Sequence, residues 1–223
     1  MEIALIISIF LIAAGLIVSI AWFYDRQRSK ALHTFADSMD FSFERKGNES
    51  LIAMNDDFEL FSHGRSKKIY NVMTGRSGDM DITIMDYHYK TDEGKNSQTV
   101  ILVQSRYLLL PPFSLSPENL VHKIGGVFDY HNINFTSHPK FSEHYLLKGD
   151  DEDTLRETFN DKLIEFYEKD NILNTEGYYD KFVHYKTSKK LSPKEIKELL
   201  QEGINLCGLF KAQTAPQYLY AQN

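Results

Sequence analysis

Histidine is the side chain best suited to chemistry in this 223-residue sequence, and there are 8 of them. His131, His138 and His144 lie close together, with His122 upstream. Six and five residues separate the three, which matches neither the i, i+4 pair of a helical zinc motif nor a finger spacing. They are read as loop and strand-end histidines with ordinary hydrogen-bond partners, and no metal ligand is assigned.

Gly64-Arg65-Ser66-Lys67-Lys68, with Arg76 across a turn and Arg106 beyond, forms a basic cluster. One reading is a solvated loop whose lysines guard a sheet edge. The other is contact with anionic lipid headgroups through Arg65, Lys67, Lys68 and Arg76, each worth roughly 1 kcal/mol near such a surface. No phosphate-binding P-loop exists, because the Gly-Lys-Ser/Thr ending is missing and Gly94-Lys95-Asn96 sits in a turn signal. Asp150-Asp151-Glu152-Asp153 lacks the alternating ligand spacing of a calcium loop and suits a helix start instead. There is no G-x-S-x-G elbow, and Cys207 falls on an apolar helical face, where a thiol acts as a small hydrophobe. Asp86-Tyr87-His88-Tyr89 could line a pocket but more simply supplies cross-strand aromatic pairs. No catalytic residue and no cofactor is expected.

The elements that carry these residues begin with an uncharged run, Ile3 to Tyr24. As a helix it spans about 33 Å, the thickness of a bilayer's hydrocarbon core. Ile3, Gly15 and Tyr24 mark its start, middle and end as membrane-spanning residues. Arg26, Arg28 and Lys30 follow it, and only Glu2 precedes it. The positive-inside rule then places the N-terminus outside and the rest in the cytoplasm, at a bacterial inner membrane. A cleaved signal peptide would need a basic n-region and a small-residue cleavage site, and Trp22-Phe23-Tyr24 offers neither. Gly15 and Ser19 make a small-xxx-small pair where another membrane protein or a second copy could pack, although an ordinary lipid-facing span has the same composition. The partners expected are the bilayer itself and, through the anchor, other membrane proteins or self. The net charge of −6 gives no footprint for nucleic acid. A lone cysteine excludes an intrachain disulfide.

Beyond the anchor (1–24), Leu32, Phe35, Ala36 and Met39 recur at helical spacing, so residues 25–40 read as a juxtamembrane helix packed on the domain. Residues 41–210 read as one α+β domain and 211–223 as a flexible tail. Phe41 to Arg45 alternates as a short strand, and Leu51 to Met54 forms a helical turn. Lys68–Thr74, Met80–Lys90 and Ser97–Arg106 form an antiparallel meander. In its middle strand the apolar face switches at Met85, as a bulge near Ile84 or a sheet covered on both sides would produce. Pro111-Pro112 marks the next apolar run as an edge or crossover. Ser116-Pro117-Glu118 opens a helix to Gly125-Gly126, and strands follow at His131–Thr136 and Ser142–Lys148. One long helix runs from Gly149 to Lys169. A hairpin turns at Gly177, and the Ser192–Glu195 capping box opens the last helix. The expected fold is α+β: a single N-terminal transmembrane helix, then a mainly antiparallel sheet with helices packed on it.

Several stretches taken in order resemble uncharacterised families of bacterial membrane-anchored proteins, domains of unknown function. They are Phe58-Glu59-Leu60-Phe61-Ser62-His63-Gly64-Arg65, Asn71-Val72-Met73-Thr74-Gly75, Asp86-Tyr87-His88-Tyr89, Gly94 to Val100, Leu110-Pro111-Pro112-Phe113-Ser114-Leu115, Ser137 to Ser142 and Tyr145 to Gly149. The resemblance covers about Phe41 to Gly203. It implies a bacterial origin and a short anchor, and it transfers no catalytic residue.

An anchor joined to a domain without a catalytic motif reads as a membrane-tethered cytoplasmic binding or scaffolding module. The alternatives are an enzyme, a hydrolase by class, whose site assembles only in three dimensions, or an anionic-lipid recognition domain. Removing residues 1–30 is expected to leave a folded, soluble domain.

Overall fold

A computed structural model describes residues 2–118, 132–169 and 172–220. Helix α1 (Glu2–Asp37) runs without a break from the apolar segment into the domain. The meander is built from β2 (Arg65–Ser77), β3 (Met80–Thr91) and β4 (Gly94–Gln104). Strand β1 (Ser42–Lys46) pairs with β2, and two short helices, α2 (Ser50–Ala53) and α3 (Glu59–Ser62), lie between them in sequence. Then come β5 (Leu110–Pro117), α4 (Pro139–His144), β6 (Tyr145–Lys148), α5 (Glu152–Thr158) and α6 (Asp161–Lys169). The chain finishes with β7 (Asn174–Tyr179), β8 (Lys181–Tyr185) and α7 (Pro193–Tyr220). The backbone of α7 thus continues into the stretch read as a flexible tail.

All eight strands join one antiparallel sheet in the order β1-β2-β3-β4-β8-β7-β5-β6. The fold is α+β, as the patterning implies. Helices α1 and α4 to α7 contribute to one core, which holds Leu32, Ile84, Phe141, Tyr167, Ile196 and Phe210. The opposite face buries Phe58, Phe61, Ile69, Met85, Tyr87 and Val100. Covering on both sides is therefore the cause of the face switch in β3, whose register with β4 is unbroken from Asp81 to Thr91. The bulge is in β2 instead. Tyr70 opposes Asp86 and Met73 opposes Ile84, so Asn71 and Val72 stand against one residue. Asn71 takes φ 50°, a left-handed conformation that asparagine tolerates better than most residues.

Several local expectations are corrected. Strand β5 is internal, between β7 and β6. Pro111 and Pro112 fit there because they fall in a register irregularity against β7, and β6 pairs only from Ser114 onward. Ser116 and Pro117 belong to this strand, Glu118 is helical, and residues 119–126 of the expected helix lie outside the described residues. Residues 132–135 are an extended loop, tied by the Ile133 N–H to the Leu147 carbonyl at 3.0 Å, and His131 is outside the description. The strand expected from Ser142 begins at Tyr145, because Pro139 at the first turn starts α4. The long helix divides into α5 and α6 because the Asn160 side chain accepts from the Leu163 N–H at 3.1 Å and caps the second piece. Gly177 lies inside β7, where a β-carbon would overlap the Phe113 ring; the hairpin turns at Tyr179-Asp180.

Candidate functional site

The most connected polar cluster lies where α1 crosses the sheet. Arg28 and Ser29 follow the apolar run by one helical turn, so they face the sheet just as the helix reaches it. Arg28 grips Asp86 in β3 with two bonds, Nε to Oδ2 at 2.8 Å and Nη2 to Oδ1 at 2.7 Å. Its Nη1 donates to the Leu191 carbonyl at 2.8 Å, ahead of α7. The bulge turns Asn71 toward the same point, where its Nδ2 donates to Asp86 Oδ2 at 2.8 Å and its Oδ1 accepts from the Ser29 hydroxyl at 2.7 Å. Thr99 of β4 donates to Asp86 Oδ1 at 3.0 Å and accepts from the Leu191 N–H at 2.9 Å.

Asp86 is 1% exposed and Arg28 18%. Each carboxylate oxygen of Asp86 accepts two bonds, so all its lone-pair sites are filled. The arrangement is a lock that joins α1, the meander and the segment ahead of α7, with a buried carboxylate whose acceptor sites are all filled and an arginine that makes four hydrogen bonds. Below it Leu32 and Ala36 enter the core, and His33 stacks on Phe43 at 4.8 Å between ring centroids. Residues 1–30 therefore cannot be removed as a unit without cost. That cut takes away Arg28 and Ser29 and strands Asp86, whereas a cut after Phe23 spares the lock.

Two further buried clusters hold titratable groups. Glu176 of β7 lies under α3, accepting from the Leu60 N–H at 3.2 Å and the Tyr185 hydroxyl at 2.9 Å. Burial pushes its carboxyl up to about 7. On the other face, the Tyr167 hydroxyl donates to Thr175 Oγ1 at 2.9 Å, and Thr175 meets His184 Nδ1 at 3.0 Å. Glu202 stands 3.9 Å from His184 Nε2, and burial pushes the imidazole pKa down. His184, Thr175 and Tyr167 are all fully buried, so these polar groups order the interior. A groove of about 320 Å³ near Leu109, Glu157 and Tyr179 includes Asp151, whose carboxylate caps α5 by accepting from the Thr154 N–H at 3.0 Å.

The residues singled out as candidates are not gathered in one place. Arg65 pairs with Asp92 at 2.7 Å, while Lys67 turns back to the Phe61 and Ser62 carbonyls at 2.5 and 2.7 Å. Lys68 opposes His88. Arg76 pairs with Asp81 at the far end of the same hairpin, roughly 35 Å of strand from Arg65. His138 pairs with Asp161 at 3.1 Å, and His144 Nδ1 meets the Lys140 carbonyl at 2.7 Å. His122 and His131 lie outside the described residues. Among the described residues no three His, Cys, Asp or Glu side chains are grouped to hold a metal. Cys207 is buried in the core. In the apolar segment the Ser19 hydroxyl bonds to the Gly15 carbonyl at 2.8 Å. Sequence reading missed the lock itself. In the sequence Arg28 signals only topology, and Asp86 shows only as the first residue of the Asp86-Tyr87-His88-Tyr89 run, read there for its aromatic rings.

No family model matches the chain, and a search of curated proteins finds no match. A solved structure that does match is the crystal structure of the mycobacterial trehalose monomycolate transport factor A. It is 13% identical, covers 84% of this chain and 94% of its own, and superposes with a TM-score of 0.57. The chain is thus similar in fold to a mycobacterial transport factor.

Proposed function

We propose that this chain is a single-pass protein of the bacterial inner membrane, with a non-catalytic cytoplasmic domain held at the bilayer as an accessory module for other membrane components. The observation that carries the reading is the continuity of α1. The same helix supplies the stretch long and apolar enough to span a bilayer and, one turn later, the arginine locked into the sheet. A helix docked in this way holds the domain at a set height and orientation, where a flexible linker would let it wander. That suits a component that works by presenting surfaces to neighbours, and its effective concentration toward them rises with tethering. Similarity in fold to a protein named as a transport factor supports the accessory role. The filled lone pairs of Asp86 and the enclosed positions of Glu176 and His184 lend the hydrolase alternative no support.

The test uses the full chain in native membranes. Carbonate washing leaves it in the membrane fraction, protease added outside intact spheroplasts leaves the domain whole, and crosslinking captures other integral membrane proteins. A mature product that starts near Trp22, or digestion of the domain from outside, overturns the reading.

A further inference from the structure

The lock also orients the sheet. Going down α1, Asp25 pairs with Arg45, Arg28 with Asp86 and Ser29 with Asn71, and then His33 stacks on Phe43. Residues of β2 at and after the lock thus lie beside the later part of α1. The start of β2, the end of β3 and the start of β4 lie on the side from which the apolar segment arrives. Along β3, positions 86, 88 and 90 share one face, the face that meets α1. Their cross-strand partners extend it: Lys68 opposes His88, Arg65 opposes Lys90, and Lys90 opposes Lys95. The Lys190 ammonium is close enough to His88 to add to the effect of burial in pushing that imidazole down.

This end of the sheet is cationic in a chain of net charge −6. Lys68, Lys90, Lys95 and Lys190 are exposed. None of the four forms an ion pair among the described residues, whereas the nearby Asp25, Asp86 and Asp92 are engaged by Arg45, Arg28 and Arg65. Glu93 lies at the hairpin turn, and Glu195, next to the Lys190–Pro193 segment, is paired with Lys189 at 2.9 Å. A groove of about 480 Å³ between Ala21 and Tyr24 of α1 and the Lys190–Pro193 segment opens beside it. Four ammonium groups outside any ion pair, on the side of the sheet from which the apolar helix arrives, match the charge of a leaflet rich in anionic phospholipid.

We propose that the rim formed by Lys68, Lys90, Lys95 and Lys190 docks on the anionic headgroup surface of the leaflet that α1 enters. This rests on the anchor reading above. It replaces the candidate set Arg65, Lys67, Lys68 and Arg76, of which only Lys68 is both unpaired and on this face. Docking at a rim as well as through the helix fixes the domain's tilt.

The experiment is lysine footprinting of the unmodified full chain in nanodiscs. A neutral acylating reagent is applied in phosphatidylcholine alone, or with about 30 mol% phosphatidylglycerol, and modification is read at each lysine by mass spectrometry. The expected result is that Lys68, Lys90, Lys95 and Lys190 react about fivefold more slowly in the anionic bilayer, the effect of roughly 1 kcal/mol per residue. Their rates recover at about 0.5 M NaCl, where the Debye length is a few ångströms. Lys140 and Lys162, on α4 and α6, react alike in both bilayers. Equal rates at the four rim lysines, or slowing shared with Lys140 and Lys162, overturns the proposal. Failure of the anchor reading shows separately, as a chain that does not enter nanodiscs at all.

Discussion

Replacing Arg28 by methionine isolates the lock in a single side chain. Asp86, 1% exposed in the native fold, would keep only Asn71 and Thr99 as donors. Breaking a buried ion pair from one side costs about 3–5 kcal/mol, because the surviving charge is left in a poorly solvating site. The reverse change, Asp86→Leu, is milder for the arginine, which is 18% exposed and keeps the Leu191 carbonyl. It still leaves the Asn71 and Thr99 donors without their acceptor, at about 1–3 kcal/mol. Pairing the two changes removes the stranded charge but not the orphaned Asn71 and Thr99 donors, so the double variant should lose clearly less than the sum of the two single losses. The assay is urea unfolding of the chain cut after Phe23, followed by near-ultraviolet circular dichroism. With a slope of about 2 kcal/mol per molar urea, a 4 kcal/mol loss lowers the midpoint by about 2 M. Deleting residues 1–30 should behave like Arg28→Met or worse, since Ser29 goes as well. A loss below about 1 kcal/mol for Arg28→Met, or strictly additive effects in the double variant, refutes the claim that this pair locks the helix to the sheet.

Other expectations concern the interior. Glu176 titrates near 7 when folded against a usual 4.5, chiefly through burial, so the folded chain binds its proton more tightly than the unfolded chain. The stability it contributes is full below about 4.5, falls as the pH rises toward 7 and is flat above, a change of about 3 kcal/mol. Glu176→Gln should flatten that slope and be the more stable protein at pH 8; denaturation midpoints at pH 5 and 8 decide it, and a variant that keeps the slope counts against the assignment. Gly177→Ala forces a methyl group into the Phe113 ring, and overpacking of this kind costs about 1–3 kcal/mol, measurable as a lower thermal midpoint. Cys207 is fully buried, and its thiol pKa is raised mainly by burial, so thiol reagents should label it only as the chain unfolds. Labelling at a rate independent of denaturant would contradict that placement.

The sequence by itself determined everything governed by near neighbours along the chain. The apolar run is a spanning candidate because its length and lack of charge meet a bilayer's requirements without reference to the rest of the fold. The three β-rich runs make a meander because the turn signals between them are local. The Ser192–Glu195 box caps α7 as read, with the Ser192 N–H on Glu195 Oε2 at 2.9 Å. Only the tertiary structure decided what depended on distant partners. Prolines that look like an edge signal sit inside the sheet because the neighbouring strands are short or irregular exactly where a donor is missing. Gly177 reads as a turn until Phe113, far away in sequence, is seen to occupy its vacant side. Arg28 and Asp86 are 58 positions apart and each is unremarkable alone; a bulge at Asn71 and a helix arriving from the apolar side bring them together. The cationic rim likewise exists only in register, since Lys68, Lys90, Lys95 and Lys190 are scattered among acids along the chain. Periodicity and capping are short-range properties of the backbone, whereas ion pairs and surface fields are sums over residues that folding alone makes neighbours.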